Sequence, residues 1–312
     1  MHNILITGGS GFIGKALVQN FLSKNYSVIN FDLNDNIKVY NKNYSFFKGD
    51  IQKKSQLRKV FNLRKISSVI HLAYINGTDK FYKIPVKIIE VAALGIMNIC
   101  NVMKENKVGS LYLASSSEVY NHPLRIPTKE DEILKVANIF NPRFSYGGGK
   151  IFAELYSQNF FFEGNLSKLI IFRPHNIYGK EMEYGHVIPQ FCNRIISQKK
   201  NIILNIQGTG REIRSFMHIN DFINAFNLIF FSKSKNEIYN IGNNDPISIL
   251  DLISLISKII NKKILIKKYK ILEGSPVIRV PDNTKIKKLG YSQKINLETG
   301  LTEMLERERE KK

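Results

Sequence analysis

The run from Asn3 to Asn25, NILITGGSGFIGKALVQNFLSKN, decides the fold. Five residues with an apolar, strand-forming pattern (NILIT, 3–7) lead into a glycine-rich turn (GGSGFIG, 8–14), and an amphipathic stretch (KALVQNFLSKN, 15–25) follows. Gly8, Gly11 and Gly14 stand three apart. Between a strand and a helix, the first allows a tight turn, the second lets main chain approach a pyrophosphate, and the third lets the helix lie close on its strand. A plain strand–helix connection does not require three glycines at this interval. The stretch predicts the opening of a dinucleotide-binding α/β domain.

The pattern continues outward from there. YSVINFD (26–32) reads as a second strand ending at Asp32. A carboxylate at the tip of strand two accepts hydrogen bonds from an adenosine ribose and repels a 2′-phosphate, which points to NAD over NADP. NYSFFKGDI (43–51) supplies a third strand ending at Asp50, and ISSVIHLAY (66–74) a fourth, with a helix around 52–65 between them. A helix near 85–106, the strand GSLYLAS (109–115), a helix carrying Tyr146 and the strand SKLIIFRP (167–174) complete the alternation. Alternating strands and helices predict a Rossmann-type doubly wound parallel sheet over residues 1–174. Beyond 174 the pattern loosens, and ETGLTEMLEREREKK at the end reads as an amphipathic closing helix with a solvated tail.

Composition narrows the class. An apolar fraction of 43% is that of an ordinary globular protein. No stretch is read as a membrane span or a leader, and the two cysteines, Cys100 and Cys192, show no disulfide or ligand spacing, so both are expected to be reduced and buried in a cytoplasmic protein without a metal. The balance of 46 basic to 26 acidic residues gives +20, which attracts polyanions. The lysines come singly or in short runs (Lys53-Lys54, Lys199-Lys200, Lys262-Lys263, Lys267-Lys268, Lys287-Lys288) rather than as one basic tract, so the excess reads as compositional drift, and nucleic acid is not an expected partner.

Within Leu113–Lys150, LASSSEVY stands at one end and SYGGGK at the other. Tyr146 and Lys150, four apart, share a helix face. A nearby ammonium favours the phenolate and turns a phenol with an ordinary pKa of about 10 into a usable proton acceptor. Ser116 supplies a hydroxyl to hold the reacting oxygen, whereas Ser115 reads as a local backbone cap at a strand end.

TGGSGFIG, Asp32, the Gly49-Asp50 pair, HLA at 71–73, SSSEVY, YGGGK and RPHNIYG occur in order and at the expected intervals. Together they resemble an extended short-chain dehydrogenase/reductase of the NAD-dependent epimerase/dehydratase family, over residues 3 to 301. The resemblance implies an enzyme that oxidises C4 of a nucleotide-diphosphate sugar with bound NAD, Tyr146 being the base and Ser116 and Lys150 its partners. It implies cofactor contacts from Gly8, Gly11, Phe12, Ile13, Gly14, Asp32, Asp50, Ile51, Leu72, Ala73, Tyr146 and Lys150. It places a smaller C-terminal substrate-binding lobe over 175–312, with segments near 216–243 returning to the main domain. Substrate contacts are implied for Ser116, Ser117, Asn176, Arg214 and Arg279, and a homodimer is implied through a four-helix bundle. In family members that dehydrate or decarboxylate, a hydroxyl residue and an Asp or Ser precede a Glu. Ser116-Ser117-Glu118 resembles the Ser form, with Glu118 over C5, although an Arg-paired acid fits the same position. A plain 4-epimerase needs no such base and stays open, as does a non-catalytic NAD- or RNA-binding protein on the same fold. Four features depart from the family pattern: Tyr74 where Ala is common, Ala92 where Asn is common, His175 at a place not usually histidine, and three glycines at 147–149.

Overall fold

The computed structural model describes residues 3–198, 202–270 and 273–311; Lys199 and Lys200, one of the basic pairs, lie outside them. In chain order the elements are β1 (Asn3–Thr7), α1 (Phe12–Ser23), β2 (Ser27–Asp32), β3 (Tyr44–Lys48), α2 (Lys54–Leu63), β4 (Ile66–His71), α3 (Thr78–Lys83), α4 (Pro85–Glu105), β5 (Ser110–Ala114), α5 (Phe144–Phe162) and β6 (Lys168–Pro174). There follow β7 (Ile177–Tyr178), α6 (Val187–Ile196), β8 (Ile202–Gln207), β9 (Ile213–Ser215), β10 (Met217–His218), α7 (Ile219–Phe231), β11 (Asn236–Ile241) and β12 (Pro246–Ser248). The chain closes with α8 (Ile249–Ile260), β13 (Ile264–Tyr269), β14 (Ile278–Arg279), α9 (Thr284–Lys288) and α10 (Leu297–Glu310).

Two compact units result, and both are discontinuous. The first takes residues 1–119, 134–173 and 229–239; the second takes 120–133, 174–228 and 240–312. The sequence suggests one break near 174, but the stretch 120–133 leaves the first unit early, and the return is confined to 229–239.

The first unit is built on a seven-stranded sheet in the order β11-β6-β5-β4-β1-β2-β3. Strands β1 to β6 pair in parallel. Parallel strands covered on both faces read as continuous apolar runs, and Ile4, Leu5 and Ile6 of β1 are all fully buried. Because chain order reverses between β1 and β4, the crevice beyond their carboxyl ends is where such sheets bind ligands. Against expectation, α4 is long and apolar enough, by length and composition, to cross a bilayer. Its apolar residues have a different role: Ile88, Ala92, Ile96, Ile99, Cys100 and Met103 are buried, most of them in the core of this unit.

The second unit holds small sheets. β12 and β14 flank β9, β8 pairs with β13, and β7 pairs with β10. Helix α10 runs to Glu310 with Leu301, Met304 and Leu305 buried. Its end is less solvated than the charge pattern suggests, because Glu308 is buried and accepts a hydrogen bond from Tyr184 at 2.9 Å. Cys100 and Cys192 are each free and buried, and burial pushes both thiols up to about 12.

Candidate active site

The glycine loop joins β1 to α1. Gly8 has φ +73°, a left-handed conformation that favours glycine, and a Cβ on it would stand 2.6 Å from the Ala73 nitrogen. A Cβ on Gly14 would meet the Gly8 carbonyl oxygen at 2.2 Å, so helix and loop touch there. Gly11 differs: it is exposed, and a Cβ would find only the Gly8 carbonyl oxygen, at 3.4 Å. Its open side is room for a pyrophosphate. The first turn of α1 carries no acidic residue, so the positive end of the helix is left to an anion. Phe12 and Ile13 sit half-buried in that turn.

At the tip of β2, Asp32 accepts the Ser10 N–H at 3.0 Å and the Leu33 N–H at 2.7 Å. Its carboxylate is thereby fixed beside the loop, where a ribose would lie. Asp50 caps its own turn by accepting the Gln52 N–H at 2.9 Å, and Ile51 is buried against Gly95. Leu72 and Ala73 continue β4: the Leu72 N–H reaches the Thr7 carbonyl at 3.0 Å, and the Ala73 N–H reaches the Thr7 hydroxyl at 3.4 Å. These residues fit NAD: the loop is cut away where a diphosphate would pass, and a fixed carboxylate lies where the ribose would end.

Beyond β5 the three serines diverge. Ser115 and Ser117 are buried, and Ser116 is partly exposed. Ser115 is no backbone cap: its hydroxyl donates to Glu154 of α5, which forms a buried ion pair with Arg173 of β6 at 2.6 Å. Glu154 belongs to no sequence motif, and Arg173 enters the sequence reading only as a residue of SKLIIFRP and RPHNIYG. Carrying the Tyr146–Lys150 interval one more turn along the same helix face would have found Glu154.

Tyr146 and Lys150 both lie in α5, buried, with the Lys150 ammonium 5.9 Å from the centre of the Tyr146 ring. Lys150 donates to the carbonyl of Ala114, the last residue of β5, at 2.7 Å. Burial pulls its pKa down to about 7, against an upward pull from Glu154. The Tyr146 ring stacks on Phe81 of α3 at 4.7 Å and meets Tyr74 edge-on at 5.0 Å. Helix α3 was not predicted. Glu118, in a short 3-10 turn, pairs with the buried Arg143 at 3.3 Å, the Arg-paired arrangement left open by the sequence.

The glycines at 147–149 are helical, so their cost in helix propensity has to be offset by packing. A Cβ on Gly147 would come 3.1 Å from the Glu118 carbonyl oxygen, and one on Gly149 would come 2.2 Å from the Tyr74 hydroxyl.

The expected substrate residues of the second unit also gather. Arg214 of β9 and Arg279 of β14 are register partners in a parallel pair, which places two guanidinium-bearing residues side by side. Arg214 is braced by the carbonyls of Ile213, Val277 and Pro276 at 2.8–3.1 Å. Asn176, at φ +43°, donates to the Ser215 carbonyl at 2.9 Å, next to Arg214 in sequence.

A family model described as the NAD dependent epimerase/dehydratase family matches residues 4–242. The chain is 32% identical over 277 residues to the dTDP-D-glucose 4,6-dehydratase of Dictyostelium discoideum, covering 84% of this chain and 62% of that protein's length. It is 28% identical to the bovine (Bos taurus) dTDP-D-glucose 4,6-dehydratase, over 98% of this chain and 88% of that one. The crystal structure of the Thermotoga maritima UDP-glucose 4-epimerase with UDP-glucose superposes with a TM-score of 0.88 at 26% identity, covering 99% of each chain.

Proposed function

Because the chain belongs to the NAD dependent epimerase/dehydratase family, we propose that it reworks the sugar of a nucleotide-diphosphate sugar through transient oxidation at C4. The observation that carries this reading is the buried Lys150 ammonium, which donates to the carbonyl of Ala114, two residues before the partly exposed Ser116, and lies 5.9 Å from the centre of the Tyr146 ring. NAD, when bound, supplies the two-electron acceptor that takes up and returns what C4 gives. Tyr146 removes the C4 hydroxyl proton, the Lys150 ammonium favours the phenolate that does so, and Ser116 holds the oxygen in line. Arg214 and Arg279 recognise the diphosphate, for which guanidinium forks are suited.

Oxidation at C4 makes the C5 proton acidic, and Glu118 beside C5 favours dehydration, in which it takes that proton, or decarboxylation, in which C5 instead gains a proton as carbon dioxide leaves, over plain epimerisation. A second reading has its own support: the pairing of Glu118 with Arg143 suits a structural acid, and then 4-epimerisation remains. Mass spectrometry and NMR on a panel of UDP-, GDP-, CDP- and dTDP-sugars separate the reactions. Loss of water, loss of carbon dioxide, and unchanged mass with inverted stereochemistry are the three signatures. Glu118→Gln is expected to stop exchange of the C5 hydrogen with heavy water, and undiminished exchange removes Glu118 from the reaction. No turnover on any sugar nucleotide, with steep salt-sensitive RNA binding, would reverse the functional reading altogether.

The same proposal includes a cytoplasmic homodimer with no nucleic-acid role. In its favour, Val86, Ile89 and Met97 of α4 and Phe152, Leu155 and Phe162 of α5 are exposed at helical spacing, as in a four-helix interface. Light scattering on the purified protein tests it.

A further inference from the structure

We infer that Tyr74 is a positioning residue for Lys150: its ring face holds the buried ammonium beside the end of β5, and Gly149 and Ala92 are the recesses that admit the ring.

Three departures from the family pattern, far apart in sequence, meet at this point. A Cβ on Gly149 would stand 2.2 Å from the Tyr74 hydroxyl and 2.8 Å from the Ala92 Cβ, so no larger residue fits at Gly149 while Tyr74 keeps its place. Tyr74 is fixed at both ends. Its hydroxyl donates to the Tyr146 carbonyl at 3.3 Å, and its ring stands nearly perpendicular to the Tyr146 ring, at 88°. Lys150 Nζ lies 4.0 Å from the centre of the Tyr74 ring, well inside the range of a cation–π contact and nearer than its 5.9 Å to Tyr146.

The other groups around Lys150 leave a role for that ring. From β5 it receives the Ala114 carbonyl. From β4 it faces His71, whose protonation burial and the ammonium itself push down to about 3, so that ring stays neutral. Along α5 stand Tyr146 and Glu154, and the Glu154 carboxylate is shared with Arg173 and Ser115. With burial drawing Lys150 down to about 7, modest stabilisation of the charged form decides how much ammonium is present at neutral pH. Burial raises the Tyr74 phenol above its ordinary value, so Tyr74 acts through its π face and not as a phenolate.

This inference deepens the proposed function, since Lys150 is the group that tunes Tyr146, yet its test needs no turnover. The protein as purified is labelled with 13C-lysine, and the Lys150 Cε resonance, assigned by its loss in Lys150→Met, is titrated from pH 5 to 10. Tyr74→Leu is expected to lower the Lys150 pKa by about one unit, a loss of ammonium that approaches tenfold well above the parent midpoint. Tyr74→Phe, which keeps the ring, is expected to leave it in place. Gly149→Ala, which displaces the ring without removing it, is expected to shift the pKa in the same direction as Tyr74→Leu. An unchanged or raised pKa in Tyr74→Leu, or an equal fall in Tyr74→Phe, overturns the inference. Should Tyr74→Leu not fold, the Gly149→Ala titration decides alone, an unchanged or raised value again being the refutation. Inactivity on every sugar nucleotide would sink the proposed function and leave these titrations standing.

Discussion

Replacing Glu154 by glutamine should cost this protein far more than its conservative shape suggests. The Glu154 carboxylate receives Arg173 Nε at 2.9 Å and Nη2 at 2.6 Å, and the two side chains are 6% and 2% exposed. Glu154→Gln keeps the volume and removes the charge, leaving a buried guanidinium without its counter-ion. Breaking such a pair from one side costs about 3–5 kcal/mol, because the survivor cannot be resolvated. For a unit of this size each kcal/mol lowers the midpoint by about 2–4 °C, so melting should fall by roughly 10 °C. Removing both partners behaves differently. Glu154→Leu with Arg173→Met removes both charges of the pair and leaves the Ser115 hydroxyl without its Glu154 acceptor, at about 1–3 kcal/mol. The double variant should therefore melt above Glu154→Gln and below the parent. The chain has no tryptophan, so thermal melts followed by far-ultraviolet circular dichroism at pH 7 are the suitable assay. A Glu154→Gln midpoint within about 2 °C of the parent, or a double variant melting lower than the single, would refute the reasoning.

Tyr146→Phe keeps the ring between Phe81 and Tyr74 and should melt like the parent, while kcat on the identified sugar nucleotide drops by about 10²–10⁴-fold with NAD still retained on the protein; full activity refutes the proton-acceptor role. Lys150→Met should alter how stability depends on pH. The unfolded chain holds the lysine proton up to about pH 10.4, whereas the folded one releases it at about 7, so between those values unfolding takes up a proton and stability rises with pH. Urea unfolding from pH 7 to 9.5 should show the parent gaining up to about 1.4 kcal/mol per pH unit relative to Lys150→Met, and parallel profiles would count against the buried ammonium.

The dinucleotide half of the molecule was readable because its signals are local. Gly8, Gly11 and Gly14 act within one turn of chain, and the strands ending at Asp32 and His71 are short apolar runs bounded by clear breaks. In the second unit Arg214 and Arg279, assigned separately by resemblance, are β partners, a juxtaposition that comes from strand register and not from any local signal. What escaped the sequence depends on contacts between distant segments. Helix α3, six residues long, has too little periodicity to announce itself, and its Phe81 matters only once α5 is packed beside it. Ser115 reads as a cap until Glu154 and Arg173 arrive from the next helix and strand. The glycines at 147 and 149 look costly in a helix until Glu118 and Tyr74 are seen pressed against them. The apolar length of α4, overlooked in the sequence, is matched by the core it fills.

The edge strand β11 has a consequence for how the chain is made. It is drawn from residues 236–241, more than sixty residues after the β6 strand it covers. During synthesis β6 therefore emerges with one row of amides and carbonyls bare, and stays so until the ribosome has released the segment that shields it. A product ending before residue 236 would keep that open flank, the kind of surface on which stray strands pair and aggregates begin.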